Sequence, residues 1–225
     1  MESLEAIPTM IETKTEVDTI ITTIEMDNDI NKTSQDSENN NETVTVSERE
    51  GDNCSENENV EETFHTLSDK WTLWAHLPHD TDWSLSSYQE VLTFGSIEEG
   101  IALCETLPEK MVKNCMLFLM KENIKPTWED PKNINGGSFS FKVSNKLVYD
   151  LWNKLFYVTI GKTISKDKGF TETVNGITIS PKKNFCIMKI WTNNCTKQNP
   201  ELIDQSQLKS LNVQSCLFKK HIPSC

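Results

Sequence analysis

Every aromatic residue of this 225-residue chain lies at Phe64 or beyond, and that one-sidedness confines a packed core to residues 63–225. Residues 1–62 hold no Trp, Tyr or Phe and carry 18 Asp and Glu against three basic residues, Lys14, Lys32 and Arg49, a net of −15. A segment so charged and so poor in large apolar side chains cannot bury enough surface to offset its chain entropy. Residues 1–62 are therefore read as a disordered acidic tail, a solvating segment with Ser and Thr open to phosphorylation or to a partner. Taking them from the chain's 34 acidic and 22 basic residues leaves 16 and 19, so residues 63–225 sit near +3 and the formal −12 belongs to the tail.

The remaining residues suffice for one domain. Short runs bounded by turn residues predict strands over Trp71–Leu77, Tyr88–Phe94, Cys115–Met120, Ser138–Val143, Val174–Ser180, Phe185–Trp191 and Val213–Phe218. Ser96 and Glu99 stand in capping-box spacing and predict a helix to Leu107. A second helix follows from Leu147, Val148, Leu151, Trp152 and Leu155, with Gly161 as its C-cap. A third is expected from Asn199-Pro200-Glu201 to about Leu211. The expected fold class is α+β: a mostly antiparallel sheet with about three helices on one face and the other face free to bind.

Several function classes are disfavoured. No window approaches the ~18 apolar residues of a membrane span, and the acidic N-terminus lacks the basic and apolar regions of a secretory signal. The expectation is a soluble, monomeric, cytoplasmic protein with the nucleus left open and no membrane association. Seven cysteines form an odd set without a CxxC pair, which argues for free thiols and against both a disulfide framework and a zinc site. His76 and His79 are the only metal candidates and are too few. No phosphate loop appears, and His65, His76, His79 and His221 pair with no Ser or Cys nucleophile, so neither an enzyme nor a cofactor is expected.

The informative residues are Trp83 and Trp128, the latter followed by Glu129 in the loop Lys125-Pro126-Thr127-Trp128-Glu129-Asp130-Pro131-Lys132-Asn133-Ile134-Asn135-Gly136-Gly137. Prolines, glycines and asparagines keep this stretch out of regular structure and an indole on it within a ligand's reach. Two indoles and a carboxylate fit one positively charged purine. Trp71, Trp74 and Trp152, with leucines beside them, read as core.

From His65-Thr66-Leu67-Ser68-Asp69-Lys70-Trp71-Thr72-Leu73-Trp74 through Trp83, Trp128-Glu129-Asp130, Gly136-Gly137, Leu151-Trp152, Ile160-Gly161 and Ile190-Trp191-Thr192, the chain resembles the eukaryotic translation initiation factor 4E family, which binds the 5′ cap of messenger RNA. The resemblance covers residues 65–193. It implies a curved antiparallel sheet with three helices on its convex back and a cap pocket on the concave side. It also implies roles: Trp83 and Trp128 sandwich 7-methylguanine, Glu129 reads the guanine N1–H and amine, the Trp128 backbone N–H meets O6, and Trp191 lies against the N7-methyl group. A stacked base contributes roughly 1–3 kcal/mol and a desolvated cation–π contact about 2 more.

For the triphosphate, the resemblance puts Lys182 where the family has an arginine, keeping charge but losing the bidentate fork. Asn184 and Ile187 stand where basic residues are usual. Strand alternation places Ile187, Lys189 and Trp191 on one face, so Lys182, Lys183 and Lys189 are the expected phosphate cluster. On the convex face the family docks a helical peptide of scaffold factor 4G or of an inhibitory binding protein. His65, Ile97, Ile101, Asn153, Lys154, Tyr157 and Gly161 occupy that surface here. Ile97 and Gly161 fit; Ile101 replaces a tryptophan, Asn153 and Tyr157 replace leucines, and Lys154 replaces an acid, so two anchors of a peptide interface are changed.

Three functions stand: an initiation factor delivering capped messages, a cap-binding competitor or repressor that does not recruit the scaffold, and an interaction module without cap affinity. The chain's single arginine and its many asparagines point to an AT-rich coding source, an unusual eukaryote or a virus of eukaryotes.

Overall fold

The computed structural model describes residues 64–78 and 80–222. The acidic tail lies outside the described residues, as does His79. In chain order the elements are β1 (Thr66–His76), β2 (Tyr88–Ser96), α1 (Ile97–Thr106), α2 (Glu109–Asn114), β3 (Met116–Lys121), β4 (Gly137–Ser144), α3 (Val148–Ile160), the single turn α4 (Lys168–Thr171), β5 (Val174–Pro181), β6 (Phe185–Thr192) and β7 (Leu217–Lys220). The seven strands form one sheet in the order β2-β1-β3-β5-β6-β4-β7, every neighbouring pair antiparallel, and the sheet is curved. The expected α+β class holds.

Alternation along the strands divides the side chains into two sets. Trp71, Leu73 and Ala75 of β1, Leu117 and Leu119 of β3, Ile177 and Ile179 of β5, and Met188 and Ile190 of β6 pack in the large core with Leu103 of α1 and Leu151, Trp152, Leu155 and Phe156 of α3. The helices therefore cover the convex face. Trp74, Phe118, Met120 and Trp191, one residue out of phase, form a second cluster with Ile124 on the concave face. Trp74 is buried as expected of a core residue, in the smaller cluster on the concave side of the sheet.

Local chemistry explains the helix ends. The capping box forms as expected: Glu99 N–H donates to Ser96 Oγ at 3.3 Å and Ser96 N–H to Glu99 Oε2 at 2.9 Å, worth about 1 kcal/mol. α3 begins one residue later than the apolar stripe predicts, because Leu147 is its N-cap and points to solvent. The chain turns at its end through Gly161 (φ −79°), and the left-handed residue is Lys162 (φ 52°), tied to Asp69 at 3.1 Å and Glu172 at 3.1 Å.

The third helix expected at 199–211 does not form. Only the 3-10 turn Pro200–Leu202 follows the Asn199 cap. Beyond it Asp204 N–H donates to Ile164 O at 2.9 Å and Asp204 Oδ1 accepts from Ser206 N–H at 2.8 Å, so a tertiary contact and an Asx turn take the groups a helix needs. Ile203, Leu208 and Leu211 still bury against the core. The predicted last strand also shifts: Val213–Ser215 is a 3-10 turn and pairing starts at Leu217.

Candidate ligand-binding face

The concave cluster is an apolar floor. Trp191 is 7% exposed, and its Nε1–H donates to Thr178 Oγ1 at 3.2 Å, which fixes the ring. Tyr88 and Met116 pack at the margin, and Lys125 Nζ lies 5.0 Å from the Trp74 ring centroid.

Trp83 stands over one edge, 57% exposed. The ring parallel to it is His76, at 4.4 Å and 6°. His76 is itself buried, with Nε2 2.8 Å from Asp82 O and its edge to Tyr88 at 5.1 Å. Tyr88 in turn meets Phe118 at 5.3 Å. One face of the Trp83 indole is thus backed by an aromatic stack anchored in the floor. Asp82 clamps the turn by accepting from Ser84 N–H at 2.8 Å and Ser84 Oγ–H at 2.7 Å, and these bonds hold its carboxyl below the ordinary range.

Trp128 (46% exposed) and the exposed Glu129 sit on the β3–β4 loop. Asn133, fully buried, donates through Nδ2 to Thr127 O at 2.9 Å and Lys125 O at 3.2 Å and accepts at Oδ1 from Asn175 Nδ2 at 2.9 Å. Asn175 Nδ2 also donates to Lys132 O at 2.8 Å. Asp130 accepts from Lys125 N–H at 2.9 Å and Lys132 N–H at 2.8 Å. At the loop's far end a Cβ on Gly136 would stand 1.7 Å from Thr192 O, so only glycine fits. Glu129 is near enough that burial first, and then its charge, raise the Tyr88 phenol above its ordinary range. Glu129 and the aromatic wall under Trp83 therefore meet at Tyr88, on the margin of one floor.

Basic residues close the other end. Lys182 and Lys183 are exposed on the β5–β6 turn. Lys189 lies on β6 opposite Thr178 and Ser140, on the same face as Trp191. Lys219 of β7, opposite Ser138, is a residue the sequence reading missed. Burial, then Lys219 and Lys182, push the Lys189 ammonium below its ordinary range, so these three cations share one field. No ion pair found among the described residues involves Lys182, Lys183, Lys189 or Lys219.

His221 was also missed as a site residue. Its ring lies 4.6 Å from Trp191 at 52°. Nδ1 is 2.7 Å from Asn133 O and must donate, since a carbonyl only accepts; Nε2 is buried without a partner. No group of three or more His, Cys, Asp or Glu able to hold a metal occurs among the described residues.

On the convex side Ile97 (42% exposed) and Ile101 (38%) lie one turn apart on α1. On α3, Asn153 and Tyr157 are half-buried, Lys154 is exposed, and Gly161 follows the helix. His65 sits at the edge, 2.6 Å from Glu98.

The sequence profile of the family described as Eukaryotic initiation factor 4E matches residues 66–224. The chain is 31% identical over 157 residues to the eukaryotic translation initiation factor 4E of Candida albicans, covering 65% of this chain and 69% of that protein. Against its namesake from Eremothecium gossypii it is 33% identical over 135 residues, spanning 57% of this chain and 62%, a little under two thirds, of the relative. Among solved structures it is similar to C. elegans initiation factor 4E-3, in complex with the 4E-binding protein Mextli and a cap analog: TM-score 0.62, 21% identity, 71% of this chain and 94% of that one.

Proposed function

The chain belongs to the eukaryotic initiation factor 4E family, and on that premise we propose that it binds the 7-methylguanosine 5′ cap of messenger RNA on its concave face and serves translation initiation. The observation that carries this is the exposed Trp83, backed by His76 at 4.4 Å, beside the Trp128-Glu129 loop over an aromatic floor. The methylated base enters with its cationic ring against the free face of Trp83 and the indole of Trp128, within cation–π reach of both. Glu129 accepts from the guanine N1–H and amine, donors that adenine lacks on that edge; charged hydrogen bonds of this kind contribute roughly 1.5–3 kcal/mol each. Trp191 in the floor faces the N7-methyl group. The triphosphate runs to Lys182, Lys183 and Lys189, with Lys219 added. The field shared by Lys182, Lys189 and Lys219, none of them in an ion pair found among the described residues, supports an anion arriving among them.

A second reading, a competitor that holds caps without recruiting a scaffold, is favoured by the convex face, where Ile101 and Lys154 are exposed in place of an indole and an acid.

Tryptophan fluorescence on titration with 7-methyl-GTP, GTP and ATP tests the first reading. The methylated nucleotide should bind near micromolar, about 8 kcal/mol, GTP far more weakly, and Glu129→Ala should lose at least about tenfold. Equal, weak binding of the nucleotides would leave only the interaction-module reading. Titration with a scaffold-derived helical peptide separates factor from competitor.

A further inference from the structure

We propose that the convex surface of α1 and α3 is covered in cis by a segment of the chain's own N-terminal region, residues 16–27. This inference goes beyond cap recognition and does not depend on it.

The surface asks for a partner of particular chemistry. Ile97 and Ile101 present two branched apolar side chains one turn apart. Across the helix pair, Tyr157 packs against Cys104 of α1, and burial first, with that contact, raises its phenol above the ordinary range. Asn153 Oδ1 is buried without a hydrogen-bond partner, an acceptor whose isolation is unfavourable until a donor arrives. Lys154 is exposed and joins no ion pair among the described residues. The fitting occupant is apolar on one side, carries hydroxyl donors and is acidic at its margins.

Residues 16–27 read Glu-Val-Asp-Thr-Ile-Ile-Thr-Thr-Ile-Glu-Met-Asp. Val17, Ile20, Ile21 and Ile24 recur at i, i+3, i+4 and i+7, one helical face. Thr19, Thr22 and Thr23 supply hydroxyls, and Glu16, Asp18, Glu25 and Asp27 supply charge opposite to that of Lys154. The region's other apolar run, residues 4–11, is interrupted by Pro8, which removes a helical donor. The β-branched residues of 16–27 have low intrinsic helix propensity.

The chain also arrives in the right place. His65 O accepts from Ile97 N–H at 2.8 Å, and His65 N–H donates to Glu98 Oε2 at 2.9 Å. The N-terminal region therefore joins the fold at the first turn of α1, beside Ile97. Asp27 is 37 positions before Phe64, a separation that a random coil of that length would span at about 30 Å, against about 15 Å for the whole of α1. At that separation the segment's effective concentration is about millimolar, enough for a weak contact to persist and to exclude an outside protein of lower local concentration.

The test is zero-length carbodiimide cross-linking of the full chain, as an equal mixture of isotopically light and heavy protein, read by mass spectrometry. Cross-links should join Lys154 to Glu16, Asp18, Glu25 or Asp27 within one chain. They should be lost in the double variant Ile20→Asp, Ile24→Asp, which keeps all four carboxylates and changes no residue of 64–222, so its thermal melting midpoint serves as the folding control. Light-to-heavy products would assign the surface to a second copy. Persistence in the double variant would reduce the contact to charge alone, and tail links to Lys182, Lys183, Lys189 or Lys219 instead would move the segment to the concave face. Each of these, or no Lys154–tail product, overturns the proposal.

Discussion

His221 holds the Trp128 loop through its Nδ1–H bond to Asn133 O at 2.7 Å, while Nε2 stays buried and unprotonated beside Trp191. Burial pushes its pKa below the ordinary 6.5, outweighing the upward pull of the Asn133 bond, and the charge of Lys189 adds a smaller push in the same direction as burial. Folding thus favours the neutral ring. The stability this neutral ring contributes is complete above the unfolded pKa and is lost as pH falls through the folded one. Denaturant midpoints should therefore decline below about pH 6.5, and His221→Gln, which keeps a donor but cannot titrate, should flatten that segment of the curve. An identical pH profile in the variant would rule the residue out as its source. His76 has a separate role: His76→Ala removes the ring parallel to Trp83, worth about 0.5–1.5 kcal/mol, and should weaken 7-methyl-GTP binding by roughly 3- to 10-fold with a smaller change in stability. Trp83, Trp128 and Glu129 were legible as candidates because residues of these types on turn-rich segments have few core uses. His76, His221 and Lys219 were not, because their significance lies in which strand they pair with, and register does not show in residue type.

Among the elements, the β3–β4 loop depends most on single side chains. Asn133→Ala would strand the Lys125 and Thr127 carbonyls and one bond from Asn175, at about 1–3 kcal/mol for each group left unsatisfied. A loss of about 2–4 kcal/mol, or roughly 4–16 °C in melting temperature for a domain of this size, is expected, with cap-analog affinity falling further than in His76→Ala. Wild-type affinity in a destabilised Asn133→Ala protein would show that the network holds the fold and not the site. Gly136→Ala should be worse, since its Cβ would overlap Thr192 O and the loop must move. The elements most legible in sequence, the strands and α3, are those where period and burial agree: Leu151, Trp152 and Leu155 are periodic and fully buried. Residues 199–211 failed because Pro200 and the Asn199 cap promise a helix that Asp204 ends within one turn by bonding Ser206 and Ile164. Trp74 was legible as a core residue but its face was not, because β1 buries Trp71, Leu73 and Ala75 on one side and Thr72, Trp74 and His76 on the other.

Across the whole molecule, charge is separated more sharply than hydrophobicity. A region at −15 precedes a domain near +3, and Lys182, Lys189 and Lys219 act on one another at the end of the concave face. Base and phosphate recognition should therefore respond to salt differently. Stacking and the Glu129 hydrogen bonds act at contact, where ions do not intervene; the ammonium groups act through solvent over a screening length of about 10 Å at 0.1 M and about 3 Å at 1 M. Raising KCl from about 0.05 to 0.5 M should weaken 7-methyl-GTP by roughly tenfold and leave 7-methylguanosine, which has no phosphate, almost unchanged. Lys189→Met and Lys219→Met should each lower the salt slope for the nucleotide without altering the nucleoside. Equal salt slopes for nucleotide and nucleoside would mean that these lysines do not hold the phosphates, and the anion's ground would have to be sought elsewhere on the face.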